Sequence, residues 1–142
     1  MAQQSVGRYQ GMGLRDLCDQ LHACYRSNAT AKHLKRMYTV LPEIVMKPAH
    51  AYDHLVRGEV EAVSIDALDG RIAAVMLVPY PPGIPLIMPG ERFTEATRSI
   101  IDYLSFARTF DSSFPGFVVD VHGLQHEDEG NGRHYTVDCI KE

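Results

Sequence analysis

Near the start of the chain, apolar residues recur at helical spacing. Leu14, Leu17, Cys18, Leu21, Cys24 and Tyr25 fall on one stripe and predict an amphipathic helix over residues 13–27. Ser27 and Asn28 offer a stop and a cap for the next element. Leu34, Met37, Tyr38 and Leu41 mark a second helix, ended by Pro42, which cannot donate to the preceding turn. Residues 41–47 read as a connector. Pro48 stands where a first helical residue belongs. Tyr52, Leu55 and Val56 are then the buried stripe of a short third helix, and Gly58 ends it.

After Gly58 the period changes. Residues 60–65 predict a strand and Asp69-Gly70 a turn. Residues 72–78 are apolar without alternation, which predicts a strand covered on both faces. A fourth helix starts at Thr94 or Glu95, with Ile100, Ile101, Leu104, Ala107 and Phe110 as its stripe, and Phe114-Pro115-Gly116 breaks it. Phe117, Val119 and Val121 alternate, as do Tyr135, Val137 and Cys139. Between these runs, residues 127–132 read as an acidic hairpin loop with an Asn-Gly turn signal. Helical and strand runs are segregated, so the expected class is α+β: helices followed by a small mixed or antiparallel sheet with a C-terminal β-hairpin. Residues 1–12 are a loose lead-in, and residues 13–142 form one domain.

Composition narrows the function classes. The chain has 142 residues, 45% of them hydrophobic, and a formal charge of −4, which fits one globular domain. The densest basic group is Lys32, Lys35 and Arg36, a solvated helix face by ordinary expectation, so nucleic acid is not the expected partner. No apolar run reaches the roughly 20 residues needed to span a bilayer. The N-terminus lacks the apolar core of a secretory signal, so no membrane association and a cytoplasmic location are expected. Cys18, Cys24 and Cys139 are an odd set without metal-ligand spacing and read as reduced, small apolar residues.

Five of the eight prolines fall within residues 79–89. Each fixes its own φ, and each pushes the residue before it (Val78, Tyr80, Pro81, Ile84, Met88) toward extended conformations. Such a loop holds a shape at little entropic cost. Tyr80, Pro81, Pro82, Gly83 and Glu91 are therefore the candidate site residues: a rigid wall bearing an aromatic ring, with one carboxylate at its end. Against this stands the plainer reading that the prolines brace a corner and Glu91 merely precedes the helix starting near Thr94.

Other candidate chemistry is thinner. His50 and His54 lie four apart on a helix, as in zinc proteases, but Ala51 occupies the place of the catalytic glutamate. Asp120, His122, His126, Glu127, Asp128, Glu129 and His134 gather around the last hairpin, where flexible tips make poor metal cages. No metal site is expected. Ser64, Asp66, Ser112 and Ser113 form no nucleophile motif. Gly11-Met12-Gly13 lacks the third glycine of a dinucleotide fingerprint.

The segments Asp69-Gly70-Arg71-Ile72-Ala73-Ala74, Pro79-Tyr80-Pro81-Pro82-Gly83-Ile84-Pro85-Leu86 and Pro89-Gly90-Glu91 closely resemble the C-terminal domain of bacterial ornithine/lysine/arginine decarboxylases. Residues 55–61, 114–117 and 120–123 are similar to the same domain. Residues 14–18 and 103–108 look most like the lysine-specific branch. The resemblance implies a parent enzyme that uses pyridoxal phosphate to convert a basic amino acid to an amine plus CO₂, with links to acid resistance and polyamine supply. It implies an expected partner, the large cofactor-binding domain, and a role for the present domain at the active-site entrance of a dimer. The family's cofactor lysine follows a histidine, whereas none of Lys32, Lys35, Lys47 and Lys141 does. This chain is therefore expected to hold no cofactor and no catalytic residue of its own, and to expose a surface suited to self-association. Two alternatives stand beside it: a stand-alone binding or regulatory module, and a small enzyme built on the hairpin histidines.

Overall fold

The computed structural model describes residues 7–129 and 132–142. Its elements, in chain order, are α1 (Leu14–Ser27), α2 (Thr30–Met37), β1 (Glu43–Ile44), α3 (Pro48–Val56), β2 (Val60–Ser64), β3 (Val78–Tyr80), β4 (Glu91–Arg92), α4 (Arg98–Ser113), β5 (Asp120–His122), β6 (Leu124–Glu129) and β7 (Gly132–Ile140), with 3₁₀ turns at Ile65–Ala67 and Glu95–Thr97. All strand pairs are antiparallel, and the class is α+β. Among the described residues no helix is long and apolar enough to cross a membrane.

Helix α4 organises the core. Its predicted stripe of Ile100, Ile101, Leu104, Ala107 and Phe110 is buried throughout. The preceding turn is closed by Thr97, whose hydroxyl oxygen accepts from the Thr94 N–H (2.8 Å) and donates to the Thr94 carbonyl (2.9 Å). Aromatic rings continue the stripe: Phe110 lies 5.1 Å from Phe114 and 5.6 Å from Tyr25 of α1. Tyr103 sits in the same layer, and burial pushes its hydroxyl up to about 12.

The sheet is longer than its named strands. β7 pairs with β2 along one edge and with β6 along the other. Above β6, the edge continues into residues 72–74: the Ala74 N–H donates to the Asp138 carbonyl and the Ile140 N–H to the Ile72 carbonyl, both at 2.9 Å. Residues 71–73 in turn bond to β4 and the residue after it, through Ala73 N–H to the Glu91 carbonyl and Phe93 N–H to the Arg71 carbonyl. β4 pairs with β1. One ladder therefore runs from β2 through β7, residues 72–74 and β4 to β1.

This corrects the reading of residues 72–78 as one continuous strand. Ile72, Ala73, Ala74, Leu77 and Val78 are buried as expected. The run nonetheless changes partner three times, bridging to Arg92, Cys139 and Ile87 before Val78–Tyr80 pairs with β5. Apolar burial on both faces does not require a straight ladder, only that each backbone group find a partner.

The helical stripes need correction too. On α1, Leu17, Leu21 and Cys24 are half-buried against the core, but Leu14, Cys18 and Tyr25 are exposed. Helix α2 ends at Met37, its one buried apolar residue, well before Pro42, and Leu41 lies outside it and exposed. On α3, Pro48 is at the first helical position as expected, but Ala51 faces the core while Tyr52 and Val56 are exposed. The expected connector contains β1. Phe117 and Val118 are exposed, so strand β5 is confined to residues 120–122. Strand structure reaches Glu129 and resumes at Gly132, so Glu127 and Asp128 are ladder residues rather than loop; residues 130–131 lie outside the described residues. Of the lead-in, residues 7–9 are helical, and the Tyr9 ring meets Phe117 edge-on at 6.2 Å.

Asp66 of the first 3₁₀ turn grips Arg108 of α4 in a two-pronged pair at 2.6 and 2.9 Å. The hydrogen bond from Arg108 holds the Asp66 carboxyl below its ordinary range. A depressed carboxylate contributes stability above its unfolded pKa and loses it as pH falls through the folded value. Both side chains are partly exposed (Arg108 30%, Asp66 60%), which limits the contribution to below about 1 kcal/mol. Asp66→Asn should therefore lower stability slightly near neutrality, and the difference from wild type should shrink as pH falls below ~4. Denaturant titrations at several pH values check this.

Candidate functional site

The proline segment is built as two turns on a closed neck. At the neck, the Leu77 N–H donates to the Ile87 carbonyl (3.1 Å) and the Leu86 N–H to the Leu77 carbonyl (2.8 Å). Leu86 and Ile87 are buried and anchor the loop in the core. β3 carries the chain out, with Val78 and Pro79 buried and Tyr80 exposed opposite Asp120 of β5. The first turn is closed by the Gly83 N–H on the Pro79 carbonyl at 2.8 Å. The Tyr80–Pro81 and Pro81–Pro82 peptides are both cis. The Tyr80 ring lies over Gly83: a Cβ there would sit 3.1 Å from its Cε1, and φ at Gly83 is +79°.

The second turn spans residues 88–91. The Glu91 N–H donates to the Met88 carbonyl (3.1 Å), and the Met88 N–H donates to Glu91 Oε2 (2.7 Å). The Glu91 carboxylate thus closes its own turn. It belongs to β4 and is half-buried, three residues before the Thr94 cap of the turn that leads into α4. Gly90 passes beneath residues 45–46: its carbonyl accepts from the N–H groups of Val45 (3.0 Å) and Met46 (3.1 Å), and its N–H donates to the Ala73 carbonyl (2.8 Å).

The candidate residues therefore stand at the two ends of one loop. Tyr80, Pro81 and Pro82 form an exposed tip resting on Gly83, while Glu91 is bonded at the base. Between and beside them Ile84 and Met88 are exposed, so the loop offers an apolar, conformationally preset surface. Of the histidines singled out, His54 Nδ1 meets Glu59 Oε2 at 2.7 Å, and His126 stacks on Tyr135 with ring centroids 5.8 Å apart. Among the described residues no group of three or more His, Cys, Asp or Glu is placed to hold a metal.

Sequence reasoning missed one buried polar pair. Asp111 of α4 is buried, accepting from the Tyr135 hydroxyl (2.5 Å) and the Val119 N–H (2.8 Å). Beside it lies a cleft of about 70 Å³, lined by Asp111, Val118, Val119, Asp120, Val121, Leu124, His126 and Tyr135. The available signal was that Asp111 follows Ala107 by four residues and Leu104 by seven, on the buried stripe. At this volume the cleft has room for about two waters.

An aldehyde cofactor needs a lysine beside a cavity. All four lysines lie at the surface, and none lines this cleft. Cys139 is no substitute nucleophile, because burial pushes its thiol up to about 12.

The family model described as the Orn/Lys/Arg decarboxylase C-terminal domain matches residues 31–141. The chain is similar to lysine decarboxylase LdcA of Pseudomonas aeruginosa, 74% identical over 142 residues, which is 100% of this chain and 19% of that protein. It is similar to the constitutive lysine decarboxylase of Escherichia coli, 36% identical over 122 residues, 86% of this chain and 17% of that one. Among solved structures, lysine decarboxylase A from Pseudomonas aeruginosa superposes with a TM-score of 0.88 at 76% identity, over 94% of this chain and 18% of that one. The chain thus spans about a fifth of the length of these relatives.

Proposed function

The chain belongs to the Orn/Lys/Arg decarboxylase C-terminal domain family, and from that premise we propose that it is the accessory C-terminal domain of a cytoplasmic decarboxylase acting on a basic amino acid. In this reading it docks on the large domain and helps form the entrance to the active site. The observation that carries the reading is the proline loop: a surface with preset backbone, anchored by Leu86 and Ile87, that leaves Tyr80, Ile84 and Met88 facing outward. A free-standing domain gains nothing from holding apolar side chains in water on a rigid frame. A domain that must close against a larger body does, because the ordering entropy is already spent. Pyridoxal phosphate, where the larger part holds it, would supply the electron sink for loss of CO₂. The present residues supply the wall: Tyr80, Pro81, Pro82 and Gly83 as its shape, Glu91 as a negative charge favouring a cationic substrate.

Mixing this chain with the separately produced cofactor-bearing part should restore CO₂ release from lysine, ornithine or arginine. CO₂ release by this chain alone would overturn the reading. Glu91→Gln in the complete enzyme isolates the charge, since its amide oxygen can still accept from the Met88 N–H. Loss of one partly screened charge near the path of a cation should raise KM about fivefold, on the order of 1 kcal/mol. Unaltered KM and kcat would remove Glu91 from the entrance.

A further inference from the structure

We infer that the outer edge and apolar face of β1 form a second part of the domain seam, continuous with the proline loop and covered by the remaining part of the parent enzyme. The inference rests on the function proposed above and extends it to residues outside the loop.

β1 is the last strand of the ladder. Glu43 pairs with Arg92 and Ile44 with Glu91. The next pair is hydrogen-bonded, with the Val45 N–H on the Gly90 carbonyl, so Ile44 occupies a non-hydrogen-bonded position. Its partner agrees: the Glu91 carbonyl points away from β1 and accepts from the Ala73 N–H. The N–H and C=O of Ile44 therefore face the free edge, and no backbone hydrogen bond from the described residues reaches them.

That edge is flanked by exposed apolar residues. Leu41 is 90% exposed and Ile44 75%, with Val45 exposed beside them. At the opposite end of the ladder, β2 carries Glu61, paired with Arg71, and the free edge of β6 carries Gln125, His126 and Glu127. Solvent-facing edges are kept from association by charges, as β2 and β6 are. On β1 the one charged residue, Glu43, lies 3.8 Å from Arg92, as Glu61 of β2 is paired with Arg71, so β1 differs in the exposed apolar residues that flank its charge.

The surface also joins the proline loop. Ile44 lies directly opposite Glu91, whose carboxylate is bonded to the Met88 N–H. Leu41 and Ile44 beside the strand and Met88 and Ile84 on the loop are all exposed, Ile84 at 52%. The occupant is assigned by length. The relatives carry about four-fifths of their chains outside the part that matches this domain, enough to cover both surfaces at once.

The test is amide hydrogen exchange of residues 41–46 in this chain and in the complete enzyme. Exchange at Ile44 should slow about tenfold or more in the enzyme. Slowing at residues 80–88 without slowing at Ile44 would overturn this inference and leave the proposed function standing. Slowing at neither would sink both. Protection of Ile44 in the isolated chain that grows with its concentration would assign the edge to a second copy and overturn the inference. Ile44→Ser, at an exposed position, keeps the fold and should weaken association of the chain with the cofactor-bearing part about tenfold; unchanged association would count against the seam.

Discussion

Asp111→Ala is expected to cost the domain about 3 kcal/mol, a large loss for the truncation of a single side chain. The carboxyl joins three parts of the fold. It sits on α4, accepts the Tyr135 hydroxyl of β7 at 2.5 Å, and accepts the Val119 N–H of the segment leading into β5 at 2.8 Å. Truncation removes that acceptor from a buried hydroxyl and a part-buried N–H, and an unmet buried donor costs about 1–3 kcal/mol. The neighbouring cleft admits water, which offsets part of the loss. At this size the melting temperature should fall by about 10 °C. Tyr135→Phe removes one hydrogen bond but keeps the ring against His126, and should cost about half as much. Thermal and urea unfolding of both variants check the ranking. Equal stability of Asp111→Ala and wild type would mean that packing alone holds α4 to β7.

Gly90→Ala should cost a similar amount by a different route. φ at Gly90 is +87°, and an added Cβ would stand 2.5 Å from the Met46 carbonyl oxygen. That atom is backbone and cannot rotate aside. The substitution must push residues 45–46 off β4, breaking the two hydrogen bonds that the Gly90 carbonyl accepts. Left-handed strain of about 1–2 kcal/mol adds to this, for a total of roughly 3 kcal/mol or more. Gly58 is the control: φ is +71°, but nothing lies within 4 Å of an added Cβ. Gly58→Ala should show the strain alone, about 1 kcal/mol. If the two variants unfold at the same denaturant concentration, the close approach of β1 to the loop is wrong. Because β1 and the loop share this contact, Gly90→Ala should, under the function proposed above, also impair docking on the larger part.

Elements with one partner of one kind were legible. The α4 stripe from Ile100 to Phe110 was read residue by residue, because a helix packed on a broad core repeats its contact every turn. Pro48 fixed the start of α3, and the alternation at Tyr135, Val137 and Cys139 placed β7. Failures came where an apolar residue serves a surface instead of the core. Leu41, Tyr52 and Val56 read as buried and are exposed. A hydrophobic pattern records that a side chain avoids water, but not which body covers it.

The amino-acid order alone determined the α+β class, the rigid proline segment and the family resemblance, since each rests on local backbone restriction or on a motif contiguous in the chain. Only the tertiary structure decided that Glu91 bonds its own turn at Met88, that Asp111 meets Tyr135 across 24 positions, and that β1 ends the ladder with its edge open. Two of these are relations between segments far apart in sequence, and the third depends on how the loop between β3 and β4 is held. They depend on which chain folds against which, and local preference carries no record of a distant partner.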